Sequence, residues 1–230
     1  MTLKDFKYGF TRSLPVMFGY IVLGIALGIL MNKAGYSALW PFLCSVFIYT
    51  GAFQFVIVPF LTSAAPLPTI LITCLAMSSR QLFYGVSFIE KFKSMGKRYL
   101  YMVFSLTDET YGLFTTITYP DDVDEDNAMF TIAVLCHLYW ITGSVLGAVI
   151  GMLLPFSLEG IDFSMTAMFV TLFIDQWAKS RNNRLPAIIG LVTSGVFLII
   201  LGPANFLLPS LVLTTGLLII LGRKEAGNDN

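Results

Sequence analysis

Charged residues are scarce in this sequence, and their scarcity excludes most classes of soluble protein. Only 12% of the 230 residues are Asp, Glu, Lys or Arg, whereas 56% are hydrophobic. Soluble domains carry about 25% charged residues, so fourteen acidic and fourteen basic groups cannot cover a water-exposed surface of this size. The formal net charge of zero also excludes the positive surface that nucleic-acid binding requires. The composition therefore indicates a polytopic membrane protein.

Cysteine, histidine and nucleotide-binding motifs are also sparse or absent. The three cysteines lie in apolar runs without a C-x-x-C spacing, and His137 is the one histidine. Isolated buried thiols behave as small hydrophobes, so we expect no disulfide framework, no metal site and no cofactor. The sequence contains no P-loop, dinucleotide-binding or H-E-x-x-H motif. This disfavours a nucleotide-driven pump and a zinc protease.

Eight apolar stretches, separated by Pro, Gly or charged residues, account for most of the chain. They cover residues 14–31, 39–61, 66–89, 99–119, 129–153, 163–178, 186–203 and 206–221. Apolar stretches of about 20 residues form transmembrane helices, so we predict an all-α fold with a single transmembrane domain over residues 1–230. The number of complete crossings depends on the basic residues, because cytoplasmic loops collect Lys and Arg.

The basic residues favour a topology in which two stretches, 39–61 and 163–178, are re-entrant or broken helices. The basic clusters then share the cytoplasmic side with both termini, and only Lys33 lies outside among the flanking basic residues. These clusters are Lys4 to Arg12, 91–98, 179–184 and 223–224, and the purely acidic loop 121–126 falls on the opposite side. Stretch 163–178 is short for a full crossing, and Gly51 interrupts stretch 39–61. Eight complete spans are the alternative.

This topology divides the chain into two inverted repeats. Residues 14–119 form the first and residues 129–221 the second, each with three spans and one re-entrant or broken helix. The second repeat begins on the opposite side of the membrane from the first. Inverted repeats with broken helices at the midplane are typical of secondary transporters, whose substrate sites lie at those breaks.

A few polar side chains fall within the apolar stretches. Arg80 and Asp108 each lie about ten residues from the cytoplasmic end of their stretch, which places both roughly 15 Å deep. Such buried charges are costly and mark function, although a static salt bridge that fixes helix register is the alternative. Glu109 is rotated about 100° from Asp108 on a helix and is expected to face another element.

Other polar and small residues in the apolar stretches can be explained either by a functional role or by a structural one. His137 also lies near mid-depth and is either a proton relay or a hydrogen-bonded packing residue. Gln54 and Asp175 lie near the two proposed breaks, where freed backbone groups need partners. Asp175 is equally well explained as a solvated residue. The glycine spacings Gly24-x-x-x-Gly28 and Gly143-x-x-x-Gly147-x-x-x-Gly151 predict close helix packing rather than ligand contact.

Four short motifs occur in order along the chain. They are Gly51-Ala52-Phe53-Gln54-Phe55, Ser78-Ser79-Arg80-Gln81-Leu82-Phe83-Tyr84-Gly85, Thr107-Asp108-Glu109 and Gly160-Ile161-Asp162-Phe163. This set resembles the AzlC (azaleucine-resistance) family of bacterial branched-chain amino acid permeases. Two positions depart from the family pattern: Ser78 stands where Asn is usual, and Gln81, which cannot titrate, stands where His is common.

The resemblance implies a secondary transporter that exports leucine, isoleucine, valine or related amino acids across the bacterial cytoplasmic (inner) membrane, driven by the proton gradient. It also implies a partner, a small AzlD-type membrane subunit. The matching residues are Gly51, Gln54, Arg80 and Tyr84, expected to bind substrate, together with Asp108, Glu109 and Asp162. We expect Arg80 to hold the substrate carboxylate. Asp108, or else Glu109, would carry the coupling proton, with His137 as a further candidate.

Three other functions stay open. A passive channel for a small solute is the main alternative, because re-entrant segments also build channels. An intramembrane enzyme is disfavoured, since the adjacent carboxylates Asp108 and Glu109 diverge on a helix and cannot form a dyad. A subunit without transport activity is disfavoured by the buried charges at Arg80 and Asp108. We therefore predict a non-enzyme whose partners are lipid, an amino acid and the small subunit.

Overall fold

The fold is known from a computed structural model, which describes residues 2–153, 184–202 and 212–218, together with 170, 173, 174, 177, 206, 209 and 210. For residues 79, 80, 82 and 83 it describes the backbone and not the side chain. All regular secondary structure in these residues is helical. The predicted all-α class is therefore confirmed.

The helices of the described residues have the following bounds: α1 (Leu3–Lys33), α2 (Leu39–Phe47), α3 (Ala52–Thr62), α4 (Leu67–Ser94), α5 (Tyr99–Phe104), α6 (Asp108–Thr116), α7 (Glu125–Leu153) and α8 (Leu185–Leu201). A 3₁₀ turn, Gly96–Arg98, precedes α5. Both α1 and α7 are long and apolar enough to cross a membrane, whereas α3, α8 and the first part of α4 are shorter apolar helices.

The chain forms two compact units. One contains residues 1–65 and 77–159, and the other contains residues 66–76 and 160–230, so that helix α4 contributes to both. Within the second unit, the Thr193 hydroxyl of α8 lies 2.5 Å from the Thr214 hydroxyl. This hydrogen bond joins two of the predicted apolar stretches, 186–203 and 206–221. The predicted functional residues that the structure describes belong to the first unit.

Helices α1 and α7 pack in parallel at the centre of the first unit, along a line of glycines. The Cα atoms of Gly24 and Gly28 lie against the backbone of residues 143–148. A methyl group added at Gly28 would collide with the carbonyl oxygen of Ser144, and one added at Gly147 would collide with that of Ile25. Small residues allow two backbones to approach this closely. The predicted packing role of the glycine spacings is confirmed.

The first residues of α1 and α7 lie at the same end of this unit, which we name the charged end (residues 2–8, 91, 98 and 118–127). The ammonium group of Lys4 lies 3.2 Å from Asp122 Oδ2. The buried carboxylate of Asp5 accepts hydrogen bonds from the Asp124 amide and the Asn127 side chain, both at 3.1 Å. The N-terminus and the acidic loop therefore lie together.

This arrangement corrects the predicted topology. The inverted repeats of residues 14–119 and 129–221 required the N-terminus and loop 121–126 on opposite sides, and that placement is wrong. The physical reason is charge pairing, because Lys91 also binds Glu125 and Asp126 at 2.8 and 2.9 Å. Acidic residues of this loop thus pair with Lys4 and Lys91 at one end, whereas the count of basic residues alone placed the loop on the other side of the membrane.

The stretch 99–119 is not the predicted complete span. It consists of α5 and α6, with an interruption at residues 105–107. At its start, Arg98 donates to Asn127 at 2.8 Å, and after its last helix the Thr118 carbonyl accepts from the Tyr8 hydroxyl at 2.6 Å. Both contacts lie at the charged end. The segment therefore enters the unit and returns to the same end.

The interruption predicted near Gly51 is present. Helix α2 ends at Phe47 and α3 begins at Ala52, with positive φ angles at Tyr49 (28°) and Gly51 (58°) between them. Glycine adopts such angles without a steric penalty, which explains the break at this position. The other predicted re-entrant stretch, 163–178, lies outside the described residues except for helical positions 170, 173, 174 and 177. Asp162 and Asp175 also lie outside the described residues.

Candidate functional site

Two segments of the first unit are interrupted helices, α2–α3 (residues 39–62) and α5–α6 (residues 99–116). These two interrupted segments meet in the interior of the unit, beside α1 and α7. The Tyr20 side chain of α1 is only 4% exposed, and its hydroxyl lies 2.6 Å from the Thr107 hydroxyl and 2.7 Å from Glu109 Oε2. Its ring forms edge contacts with Tyr49 and Trp140. Tyr20 therefore touches both interruptions. We name this region the central cluster, which comprises Tyr20, Tyr49, Gln54, Thr107, Glu109, His137 and Trp140.

The start of α6 is closed by its own side chains. Thr107 precedes the helix in an extended conformation and accepts from the Thr110 amide, while the Thr107 amide donates to the Thr110 hydroxyl at 2.8 Å. This reciprocal capping satisfies backbone donors that a helix start leaves unpaired. Tyr20 donates its one hydroxyl hydrogen to Glu109, so the Thr107 hydroxyl donates to Tyr20. The result is a buried chain of hydrogen bonds from Thr107 to Glu109.

The start of α3 is built differently, and Gln54 is its principal polar side chain. Gln54 is 1% exposed, and its Oε1 accepts a hydrogen bond of 2.7 Å from the indole N–H of Trp140. Gly51 holds the cap position of this helix and has no side chain with which to cap it. Gln54 and Gly51 therefore occupy the same turn, as their shared motif requires. This turn and the start of α6 are linked through Trp140 and Tyr20.

His137 on α7 bridges the two interrupted segments. Its Nε2 lies 3.0 Å from the Ser45 carbonyl oxygen of α2, and its Nδ1 lies 3.1 Å from the Tyr101 hydroxyl of α5. The Ser45 oxygen can only accept, so Nε2 carries the hydrogen, and in the neutral ring Tyr101 donates to Nδ1. The ring also packs on Tyr49, with centroids 4.3 Å apart. These contacts fit the packing interpretation of His137, and its role as a proton relay stays a prediction.

The remaining predicted residues lie on α4 and α6. Arg80 is part of α4, with its side chain outside the described residues, so its predicted pairing with Asp108 stays a prediction. Asp108 is half-buried in the first turn of α6, directly before Glu109. The half-buried Tyr84 stacks on Tyr111 with ring centroids 4.2 Å apart. The described residues therefore bring Gln54 and Glu109 into one cluster and place Tyr84 against α6.

Asp5 at the charged end is the acidic group with the clearest electrostatic perturbation. It precedes the apolar stretch that begins near Leu14, and so lies outside the lipid-spanning part of α1. Hydrogen bonds from the Thr2 and Asp124 amides and from side chains lower its pKa from 3.8 to about 2, although burial opposes this shift. The ionised carboxylate therefore holds the starts of α1 and α7 together.

Two central residues, Tyr20 and Trp140, were not predicted from the sequence. Each lies in a long apolar run, where an aromatic residue is ordinarily membrane filling, and nothing in the local pattern marks its hydrogen bond. The capping arrangement was detectable, because Thr107 and Thr110 have the spacing of a helix-start capping box. In the part of the chain that the structure describes, no group of three or more His, Cys, Asp or Glu residues could hold a metal ion.

Comparison with known proteins gives a consistent family assignment. Residues 15–154 match the family model described as "AzlC protein". The chain is 37% identical over 216 residues to the Branched-chain amino acid transport protein AzlC of Bacillus subtilis (strain 168), an alignment that covers 94% of this chain and 85% of that protein.

Two further relatives extend this result. An uncharacterized membrane protein of Haemophilus influenzae is 37% identical over 212 residues, covering 90% of this chain and 84% of that protein. Inner membrane protein YgaZ of Escherichia coli (strain K12) is 28% identical over 200 residues, covering 84% and 82% of the two chains. No solved structure matches the chain. The family motifs around Gly51, Arg80 and Thr107 and the extent of these alignments agree, and the chain belongs to the AzlC family.

Proposed function

We propose that this protein is a secondary transporter that exports branched-chain or related neutral amino acids across the bacterial cytoplasmic membrane. The observation that carries this proposal is the 37% identity, over 94% of the chain, to a protein named as a branched-chain amino acid transport protein. The internal geometry supports transport. Two interrupted segments bring the starts of α3 and α6 to one buried cluster, and interrupted helices supply backbone groups to substrates in transporters.

The substrate occupies the central cluster in this proposal. Gly51 and Gln54 contribute the start of α3, while Arg80 and Tyr84 approach from α4. Arg80 binds the carboxylate of the amino acid, directly or while exchanging partners with Asp108. The apolar and aromatic side chains around the cluster, such as the buried Tyr49 and Phe53, select an aliphatic side chain.

Proton coupling is assigned to the acidic start of α6. Either Asp108 or Glu109 carries the coupling proton. Glu109 accepts a hydrogen bond from Tyr20, and this contact can transmit a change in its protonation to helix α1. If Glu109 is protonated, its own hydroxyl donates to the Tyr20 oxygen, and the Tyr20 hydrogen turns to Thr107. Such a reversal passes a protonation change on α6 to helix α1. His137 stays a weaker candidate, since its neutral ring already has a partner at each nitrogen.

The transporter works in the cytoplasmic membrane with a small AzlD-like subunit, and both termini are cytoplasmic. The charged end supports this orientation of the N-terminus, since it carries Lys4, Lys91 and Arg98, and basic residues favour the cytoplasmic side. The acidic loop then lies in the cytoplasm too, contrary to the first expectation.

Vesicles that contain this chain and its small partner test the proposal. Vesicles are loaded with unlabelled leucine, and exchange with labelled leucine is measured with and without an imposed proton gradient. We expect saturable exchange that responds to the gradient. Flux that rises linearly with leucine concentration would instead identify a channel, and no flux of any branched-chain amino acid would contradict the proposal.

The role of Arg80 is tested in the same vesicles. Arg80→Ala should abolish export while the protein still inserts into the membrane, because the substrate carboxylate loses its cationic partner. The matched control is Arg12→Ala, which removes an exposed arginine outside the central cluster and should leave exchange unchanged. Full export by Arg80→Ala would remove this residue from the mechanism.

A further inference from the structure

The side-chain amide of Gln54 has a fixed orientation. The indole N–H of Trp140 can only donate, and it donates to Gln54 Oε1 at 2.7 Å. The amide nitrogen, Nε2, therefore lies on the other side of the group. Nε2 is buried and has no hydrogen-bond partner in the described part of the chain. A buried amide with two unused hydrogens is costly, so this site favours a ligand that brings a hydrogen-bond acceptor.

At the helix start that carries Gln54, the Gln54 amide donates to the Gly51 carbonyl oxygen at 3.1 Å, and the amides of Ala52 and Phe53 precede it as the remaining donors. Helix α3 begins after Gly51, which has no side chain and so provides no side-chain cap for the first amides. There is space beside it, because a methyl group added at Gly51 would meet no atom within 4 Å outside its chain neighbours. An uncapped helix start with adjacent space favours an anionic group.

The start of α6 provides the contrast. It is closed by the reciprocal bonds of Thr107 and Thr110, and it carries two carboxylates, Asp108 and Glu109. One start therefore presents hydrogen-bond donors, and the other presents negative charge. A zwitterionic amino acid carries one group of each kind, a carboxylate and an ammonium.

We infer that the start of α3 is the carboxylate subsite, in which Gln54 Nε2 and the amides of Ala52 and Phe53 bind the α-carboxylate of the transported amino acid alongside Arg80. Trp140 is a positioning residue, because its hydrogen bond to Gln54 Oε1 orients the side-chain amide so that Nε2 can donate to the substrate carboxylate. The acidic start of α6 faces the ammonium group. This inference rests on the proposed function, and it assigns one part of the substrate to each interrupted segment.

The test compares ligands with and without a carboxylate. Binding of leucine and of 3-methylbutylamine, which has the same side chain and ammonium but no carboxylate, is measured on the purified complex with the small subunit. The wild type should bind leucine at least tenfold more tightly than the amine. Gln54→Leu should weaken leucine binding about tenfold and change amine binding less than twofold.

Two further variants keep the test independent of folding defects. Gln54→Glu has the same shape and places a negative charge at the subsite, so it should weaken leucine binding and strengthen amine binding, a gain that misfolding cannot produce. Trp140→Phe should lower leucine affinity severalfold, because the Gln54 amide is free to rotate. The matched control Trp40→Phe alters an exposed tryptophan and should change neither affinity.

Unchanged discrimination in both Gln54→Leu and Gln54→Glu, with a wild type that binds leucine, would overturn the subsite and leave the proposed function intact. A wild type that binds no branched-chain amino acid would overturn the proposed function, and the subsite with it.

Discussion

The hydroxyl of Tyr20 donates a hydrogen bond of 2.7 Å to the carboxylate of Glu109, and this bond joins helix α1 to the second interrupted segment. Tyr20 is buried, and its oxygen also lies 2.6 Å from the Thr107 hydroxyl. One phenol thus connects the long helix α1 with the helix start that carries both candidate proton acceptors. Removing that single oxygen atom is a direct way to test the connection.

We expect Tyr20→Phe to fold and to impair proton-coupled exchange. The substitution leaves the Glu109 oxygen and the Thr107 hydroxyl short of a partner in the interior, at a cost of about 1–3 kcal/mol. The measurement is leucine exchange across a range of pH, with the thermal unfolding midpoint as a second readout. Tyr36→Phe, on the loop after α1, is the control. A pH profile identical to that of the wild type would show that Tyr20 takes no part in coupling.

The contact between α1 and α7 predicts a strong asymmetry among glycine substitutions. Gly28→Ala forces a methyl group into the backbone of Ser144 and should destabilise the fold by about 1–3 kcal/mol, the usual cost of overpacking. Gly19→Ala on the same helix meets no atom within 4 Å and should be neutral or slightly stabilising, because Ala favours a helix. Thermal unfolding in detergent measures both. Equal unfolding midpoints would contradict the close packing.

Acid should loosen the charged end through Asp5. The pKa of this carboxyl is about 2 in the folded chain and 3.8 when unperturbed, so the folded state binds its proton less readily. The stabilisation is therefore complete above about pH 4 and is lost as the pH falls toward 2. Asp5→Asn should lower the unfolding midpoint at neutral pH and flatten its dependence between pH 4 and 2. Asp121→Asn, at an exposed loop position, should keep the wild-type dependence.

The shared location of the N-terminus and the acidic loop can be tested by labelling. In a variant whose native cysteines are replaced by serine, single cysteines at Thr2 and Asp121 should react with an impermeant thiol reagent from the same side of the membrane. A cysteine at Lys93, close to the Lys91 ion pairs, should share that side. Labelling of positions 2 and 121 from opposite sides would restore the originally predicted topology.

Much of this architecture was accessible from the sequence because it follows from composition and small residues. Apolar runs predicted the helices, the glycine spacings predicted a close contact, and Gly51 predicted the first interruption. The parallel orientation of α1 and α7 could not be predicted from the sequence. A glycine pattern identifies the packing face of a helix, but it does not show whether the neighbouring helix runs parallel or antiparallel. The acidic loop was misplaced because counting basic residues ignores carboxylates that pair with them at the charged end.

The second interruption and the central aromatic residues escaped prediction for a different reason. Residues 99–119 read as one continuous apolar stretch, and the Thr107 and Thr110 capping pair is a weak signal when Thr replaces the usual Glu or Gln. The prediction that residues 99–119 form a complete span assumed one unbroken helix, which the structure does not contain. Tyr20 and Trp140 act through long-range hydrogen bonds, and no local pattern specifies such partners.

The glycine contact between α1 and α7 also limits how the protein can move. Two helices whose backbones touch at Gly28 and Gly147 cannot slide or rotate against each other unless they first separate, which would expose a matched surface along much of their length. Probes attached to these two helices should keep a constant separation throughout a transport cycle. The two helices thus form a fixed reference, and displacements of the shorter helices α2, α3, α5 and α6 can be measured relative to them.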